Sequence, residues 1–144
     1  MVVSIINNKG GTGKTTTAVT LAAGLAKLGY RILLADMDPQ GTATLSLGVT
    51  RETMKASMCD LLFDEVPLPD VLHDTSVPRL YLLPGMMELA NTDLILGETE
   101  NGRYRFKRAL EQVRGSFDFI FCDCPPSLSL LSINALTASD AFLV

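Results

Sequence analysis

The stretch VVSIINNKGGTGKTT, residues 2–16, decides the fold of this 144-residue chain. It opens on a short β-branched apolar run, Val2 to Ile6, which predicts a buried strand. A glycine-rich segment, Lys9 to Gly13, leads from this strand into a helical pattern that Gly29 ends. A second apolar run, Ile32 to Ala35, follows. This part of the chain therefore predicts two parallel strands joined by a right-handed helical crossover.

The rest of the chain repeats the alternation of strands and helices. Apolar runs predict strands over residues 80–83 and 117–122 and a last strand from residue 141. Helical patterns cover residues 57–63, 86–96, 103–114 and 127–137. This alternation predicts an α/β fold, with a mostly parallel sheet, helices on both of its faces, and the first and fourth predicted strands adjacent. We expect one domain over residues 1–144. Because the chain ends inside an apolar strand, we also expect it to be the N-terminal part of a longer protein, truncated at its C-terminal side.

Composition excludes several classes of protein. Hydrophobic residues make up 47% of the chain and charged residues 19%, so the chain should bury a core rather than stay disordered. The sequence has no apolar run of the roughly 18–20 residues that a membrane span needs, and no signal-peptide pattern at its start. Its formal net charge of -4 gives no general electrostatic case for binding nucleic acid. The three cysteines, Cys59, Cys122 and Cys124, fit no zinc or redox spacing and are expected to be reduced thiols.

The segment KGGTGKTT, residues 9–16, has the features of a loop that binds phosphate. Its glycines let successive backbone N–H groups point into one concave nest, and the start of the following helix adds partial positive charge. The Lys14 ammonium can reach the β- and γ-phosphates of a nucleotide, and the Thr15 hydroxyl can ligate Mg²⁺. The alternative is a glycine-rich turn with incidental lysines, which leaves the spacing of the glycines and lysines unexplained. We therefore predict that a nucleotide and Mg²⁺ bind here, to Gly10, Gly11, Thr12, Gly13, Lys14, Thr15 and Thr16.

Three aspartates lie at the ends of predicted strands. Asp36 and Asp38 follow the second strand, at the edge where open α/β sheets bind their ligands, and their spacing places both carboxylates on one side of an extended chain. Asp38 also begins the sequence Asp-Pro-Gln-Gly, which favours a type I turn, and a turn is compatible with a catalytic role. Asp123 ends an apolar strand in the form of a Walker B segment, whose carboxylate binds Mg²⁺. The alternative for Asp123 is an ordinary turn aspartate.

The loop at residues 9–16 resembles the deviant Walker A motif of the ParA/MinD group of P-loop ATPases, because it begins with the additional lysine Lys9. The segments Asp38 to Gly41 and Asp123 to Leu128 are similar to those of the ParA/Soj partition ATPases within that group. This resemblance implies a P-loop NTPase sheet and a homodimer that forms on ATP binding.

The resemblance also assigns roles to individual residues. It implies that Lys9 reaches across the dimer to the partner's nucleotide, that Asp38 positions the attacking water, and that Asp36 supports the Mg²⁺ site. The predicted catalytic residues are therefore Lys9, Lys14 and Asp38, and the predicted metal-binding residues are Thr15, Asp36 and Asp123.

The function implied by this resemblance is slow ATP hydrolysis coupled to dimerisation, acting as a switch in chromosome or plasmid partition. The ATP-bound dimer would bind DNA non-specifically, mainly through regions beyond this chain, and a ParB-like centromere-binding partner would stimulate hydrolysis. Such a protein is cytoplasmic and nucleoid-associated, and no membrane partner is expected. Three alternatives remain: a MinD-like ATPase that cycles on a membrane, a P-loop kinase of small molecules, and a nucleotide-binding scaffold that does not hydrolyse ATP.

Overall fold

The computed structural model describes residues 1–6 and 13–144, and a six-stranded sheet forms its centre. The strands are β1 (Val2–Ile5), β2 (Ile32–Asp36), β3 (His73–Asp74), β4 (Leu80–Leu83), β5 (Phe119–Asp123) and β6 (Ala141–Leu143). Their order in the sheet is β3-β4-β2-β5-β1-β6. Every neighbouring pair is parallel except β3 and β4, which are antiparallel. The mostly parallel sheet and the adjacency of the first and fourth predicted strands, β1 and β5, are confirmed.

Seven α-helices occur in the described part of the chain. They are α1 (Lys14–Lys27), α2 (Thr42–Ser46), α3 (Met58–Phe63), α4 (Leu68–Val71), α5 (Thr92–Leu96), α6 (Arg105–Leu110) and α7 (Leu130–Ala138). Short 3-10 turns cover Met87–Asn91, Gly102–Tyr104 and Arg114–Ser116.

Local sequence explains where the predicted helices begin and end. Gly29 has φ +100° just after the end of α1, a left-handed conformation that glycine adopts without steric cost. Helix α3 begins after Ser57, whose hydroxyl accepts the Cys59 N–H, while the Asp60 carboxylate accepts the Ser57 N–H. This reciprocal capping box satisfies two backbone donors that the helix itself leaves unpaired.

Two apolar cores lie on opposite faces of the sheet because successive side chains of a strand point to opposite sides. Ile32 and Leu34 of β2 belong to the core under α1, whose alanines Ala18, Ala22 and Ala26 are buried there. Leu33 and Ala35 belong to the core under α3, α6 and α7. The predicted fold class, a parallel sheet with helices on both faces, is therefore confirmed. Within residues 1–6 and 13–144, none of the helices is both long and apolar enough to span a bilayer.

The register of the central strands brings their carboxyl ends together. In the sheet, Asp123 of β5 lies beside Asp36 of β2 on one side and beside Ile5 of β1 on the other. Since all three strands are parallel, the carboxyl end of β1 also lies at this edge, and Thr15 in the first turn of α1 contacts Asp123 there. The fold thereby gathers the predicted carboxylates and the start of α1 at one place.

Candidate functional site

Helix α1 begins at this edge of the sheet with a geometry suited to an anion. Gly13 precedes it with φ +78°, and the first turn carries Lys14 and three threonines but no acidic residue. The first backbone N–H groups of a helix have no partners inside the helix and carry partial positive charge. An anion at this end would therefore meet unpaired backbone donors and the Lys14 ammonium together.

Two side chains of this first turn converge on Asp123. Lys14 Nζ donates to Asp123 Oδ1 at 3.2 Å, and Thr15 Oγ1 donates to Asp123 Oδ2 at 2.7 Å. The Asp123 side chain has no exposed surface, and only 9% of the Lys14 side chain is exposed. Each oxygen of this buried carboxylate therefore has its own donor, as a buried charge requires.

Asp38 also lies near Lys14. Its Oδ2 is 3.8 Å from Lys14 Nζ, and its Oδ1 accepts the Gln40 N–H at 3.0 Å. The Gly41 N–H donates to the Asp38 carbonyl at 2.9 Å, so the turn that the sequence favours is formed. The turn and the approach of the carboxylate to Lys14 coexist in this structure.

Asp36 makes a different set of contacts, although it is also completely buried. Its Oδ1 accepts the Asp38 N–H at 3.1 Å. Its Oδ2 accepts the Thr44 N–H at 3.0 Å and the Thr44 hydroxyl at 2.7 Å. The Thr44 hydroxyl in turn accepts the Gly85 N–H at 2.9 Å. The carboxylate thus holds the loop after β2 together, and the magnesium role that the resemblance assigns to Asp36 stays a prediction.

Burial is the largest influence on the pKa values of Asp36 and Asp123. It raises the pKa of Asp36 to about 6, against the lowering effect of its hydrogen bonds from Thr44 and Asp38. Burial also raises the pKa of Asp123, against its hydrogen bond from Thr15 and the charge of Lys14. The flanking thiols follow the same rule: burial raises the pKa of Cys124 to about 12 and that of Cys122 well above its ordinary value. Both thiols are therefore protonated at neutral pH, which disfavours a role as thiolate ligands.

The donor set at this edge is compatible with Mg²⁺. The Thr15 hydroxyl and the Asp123 carboxylate present hard oxygen ligands, which this ion prefers. Within the described ranges, no cluster of three or more His, Cys, Asp or Glu side chains is arranged to hold a metal ion. Mg²⁺ in phosphate-binding sites is held by one or two protein ligands together with water and phosphate oxygens, so a pair of oxygen ligands suffices.

The sequence predicted some parts of this site and missed others. Gly13, Lys14 and Thr15 lie together with Asp38 and Asp123 at the edge of the sheet, and Thr16 is exposed in the first turn of α1. The predictions for Lys9, Gly10, Gly11 and Thr12 fall outside the described residues. Thr44 and Gly85 were missed, because nothing in their spacing from Asp36 indicates contact.

Comparison with known proteins gives one family and several similar chains. A family model described as an AAA domain matches residues 1–144. The sporulation initiation inhibitor protein Soj of Bacillus subtilis is 46% identical over 143 residues, which are 99% of this chain and 56% of Soj. The chromosome partitioning protein ParA of Caulobacter vibrioides is 42% identical over 145 residues, covering 99% of this chain and 54% of ParA. The chain therefore spans about half the length of the curated relatives it matches.

A solved structure has the same fold and a related sequence. The crystal structure of cobyrinic acid a,c-diamide synthase from Mycobacterium smegmatis, with bound ADP and magnesium, superposes with a TM-score of 0.93 at 38% identity. The match covers 98% of this chain and 57% of that one. The chain thus belongs to the AAA_31 family of AAA domains, and its similarity to Soj and ParA confirms the predicted resemblance to the ParA/Soj partition ATPases.

Proposed function

We propose that this chain is a P-loop ATPase domain, residues 1–144, which binds Mg–ATP and hydrolyses it in a partition system of the ParA/Soj type. The single observation that carries the proposal is the convergence of Lys14 and Thr15, at the start of α1, on the buried carboxylate of Asp123. A cation, a hydroxyl and a carboxylate at a helix N-terminus are the groups that a magnesium–phosphate complex needs.

The first task of these side chains is to bind the nucleotide. Lys14 supplies positive charge to the phosphates together with the backbone N–H groups that open α1, and each charge-assisted hydrogen bond contributes about 1.5–3 kcal/mol. Thr15 and Asp123 supply the oxygen ligands for Mg²⁺. When bound, that ion would neutralise charge on the phosphates. The loop residues Lys9 to Thr12 would complete the phosphate cradle.

Asp38 is the residue that we assign to the water. Its carboxylate is 3.8 Å from Lys14 Nζ, so it lies beside the group that holds the phosphates. Only 8% of the residue is exposed, and its backbone is held by the Asp38–Gly41 turn and by Asp36. A carboxylate fixed in this way can orient a water molecule by accepting its hydrogen bond, and orientation alone lowers a barrier by several kcal/mol.

The remaining steps of the proposal rest on the similarity to Soj and ParA. ATP binding would bring two chains together, with Lys9 of each chain reaching the nucleotide of the other. The dimer would bind DNA without sequence preference and act in the cytoplasm on the nucleoid. A ParB-like partner bound to a centromere-like site would stimulate hydrolysis and release the dimer.

Phosphate release from ATP is the direct test of the enzymatic part. The wild-type chain should release phosphate only with Mg²⁺ present. Asp38→Ala should bind Mg–ATP with an affinity within about threefold of wild type and lose at least about 90% of the turnover, because its carboxylate is assigned to the reacting water and not to the nucleotide. Asp70→Ala removes an exposed carboxylate on α4 and is the matched control, with turnover equal to wild type.

Two results would contradict the proposal. A wild-type chain that binds Mg–ATP but releases no phosphate, even with DNA and a ParB-like partner added, would be a nucleotide-binding scaffold. Full turnover in Asp38→Ala would remove Asp38 from the mechanism.

A further inference from the structure

Thr44 stands at the centre of a buried hydrogen-bond relay that the predicted catalytic set does not include. The residue lies on α2 and is 2% exposed. Its hydroxyl donates to Asp36 Oδ2 at 2.7 Å and accepts the Gly85 N–H at 2.9 Å. Its own N–H donates to the same Asp36 oxygen at 3.0 Å. One side chain therefore joins the end of β2, the start of α2 and the segment after β4.

The relay ends on the backbone of Asp38. With Oδ2 of Asp36 held by two donors from Thr44, the carboxylate has one orientation, and Oδ1 faces the Asp38 N–H at 3.1 Å. Rotation of the carboxylate would break these bonds away from bulk solvent, since Asp36 is completely buried. The Thr44 hydroxyl is therefore one of the two donors that hold the carboxylate in the orientation that meets the Asp38 N–H.

Close packing leaves this arrangement little freedom. A Cβ on Gly85 would lie 2.7 Å from the Asp36 carbonyl oxygen and 2.9 Å from Asp36 Cγ, so only glycine fits against the carboxylate. A Cβ on Gly41, which has φ +63°, would lie 3.2 Å from the Gly85 oxygen. The loop that carries Asp38 is therefore packed directly against the segment after β4.

We infer that Thr44 is a positioning residue for hydrolysis, which acts through Asp36 to fix the Asp38 backbone. This inference rests on the proposed function, because it assigns a role in the same reaction. The contacts among Lys14, Thr15 and Asp123 do not involve Thr44, so the loss of its hydroxyl should affect turnover much more than nucleotide binding.

The test compares three variants of the full chain. Thr44→Val keeps the shape of the side chain and removes the hydroxyl, and Thr44→Ser keeps the hydroxyl. Thr92→Val is the matched control, because Thr92 is also 2% exposed and its hydroxyl donates only to the Leu89 carbonyl, at 2.6 Å. Phosphate release gives kcat, and titration with Mg–ADP gives nucleotide affinity.

We expect Thr44→Val to lower kcat at least about tenfold while the affinity for Mg–ADP stays within about threefold. Thr44→Ser should restore kcat to within about threefold of wild type, and Thr92→Val should turn over as wild type does. Wild-type kcat in Thr44→Val, a parallel loss of affinity and kcat, or failure of Thr44→Ser to restore kcat would overturn the inference.

Amide hydrogen exchange, followed by NMR in the nucleotide-free chain, tests the relay without relying on hydrolysis. The Asp38 and Gly85 amides should be protected in the wild type and should exchange at least about tenfold faster in Thr44→Val, but not in Thr92→Val. An Asp38 amide that is unprotected in the wild type, or whose exchange rate is unchanged in Thr44→Val, would overturn the relay. The first of these outcomes is measured on the wild type alone and does not require the variant to fold. A wild-type chain without turnover would instead refute the proposed function and leave the relay to be decided by exchange.

Discussion

Replacing Lys14 with methionine would leave the buried carboxylate of Asp123 without its ion-pair partner. The Asp123 side chain has no exposed surface and accepts hydrogen bonds from Lys14 Nζ at 3.2 Å and Thr15 Oγ1 at 2.7 Å. Without the ammonium, the carboxylate keeps one hydroxyl donor. Removal of one partner of a buried ion pair costs about 3–5 kcal/mol. We therefore expect nucleotide-free Lys14→Met to lose stability as well as affinity for nucleotide.

Protonation of Asp123 sets the upper limit of this loss. The ordinary pKa of aspartate is 3.8, and each pH unit above it adds about 1.36 kcal/mol to the free energy of protonating the group. The free energy of unfolding of a folded Lys14→Met variant with neutral Asp123 would thus be lower than that of wild type by at most about 5 kcal/mol at pH 7.5 and about 1.6 kcal/mol at pH 5.0. The unfolded chain binds this proton less tightly than the folded variant, so the stability of the variant falls as the pH rises.

Urea denaturation followed by circular dichroism, without nucleotide or Mg²⁺, measures these free energies of unfolding. Lys27→Met is the matched control, because Lys27 lies exposed in the last turn of the same helix and should change stability by less than about 0.5 kcal/mol. Lys14→Met combined with Asp123→Asn should recover at least half of the loss, since the buried charge of Asp123 is then removed as well. A loss below about 1 kcal/mol at pH 7.5, an equal loss at both pH values, or no recovery in the double variant would refute the reasoning.

Three further expectations concern Asp36, Gly85 and Lys9. Burial raises the folded-state pKa of Asp36 from 3.8 to about 6, so the stability linked to its proton is complete below pH 3.8 and is lost as the pH rises through about 6. Metal-free urea titrations should therefore show that Asp36→Asn becomes more stable relative to wild type as the pH rises, by about 2 kcal/mol in the free energy of unfolding between pH 4.5 and 7.5. A stability difference that does not change with pH would contradict this. Gly85→Ala should lower the free energy of unfolding by about 1–3 kcal/mol, because its Cβ would clash with Asp36. Gly24→Ala is the control: Gly24 has open space around it in α1, so this change should be neutral or stabilising. Equal effects of the two substitutions would contradict the close packing at Gly85. Lys9→Ala should keep nucleotide binding by the monomer and lose ATP-induced dimers in sedimentation velocity, and the loss of both properties together would rule out its action across the dimer.

The parallel sheet and the adjacency of β1 and β5, which places the start of α1 near Asp123, could be predicted because both follow from local patterns. Short β-branched runs alternate with helical segments, and parallel strands place their carboxyl ends at one edge. The start of α1 lies at that edge, so a lysine and a threonine in its first turn can reach an aspartate that ends a neighbouring strand. This topology brings the first turn of α1 within reach of Asp123, whereas the contacts at 3.2 Å and 2.7 Å are seen only in the structure.

Other features depend on contacts that no local pattern contains. Thr44 and Gly85 meet Asp36 from eight and 49 residues away, through packing of the segment after β4 against the end of β2. Helix α2 has five residues, too few to show a helical period, and the turn that the sequence predicts, Asp38 to Gly41, ends just before it. The helix predicted over 86–96 is instead a 3-10 turn, Met87–Asn91, followed by α5.

The helix predicted over 103–114 is also shorter than its pattern. Regular α-helix covers only Arg105–Leu110, and 3-10 turns stand on either side of it. Phe106, Leu110 and Val113 are nevertheless all buried, at the spacing of one helical face. Short α-helices and short 3-10 helices give similar patterns of buried positions. The pattern therefore predicts which residues are buried more reliably than it predicts the type of helix.

Sedimentation velocity of the Asp38→Ala chain, first with Mg–ADP and then with Mg–ATP, tests whether ATP drives dimerisation. We expect a monomer with ADP and a dimer with ATP, because a chain that binds ATP without hydrolysing it should remain in the ATP-bound dimer. A monomer in both conditions, with nucleotide shown to be bound, would contradict an ATP-dependent dimerisation switch.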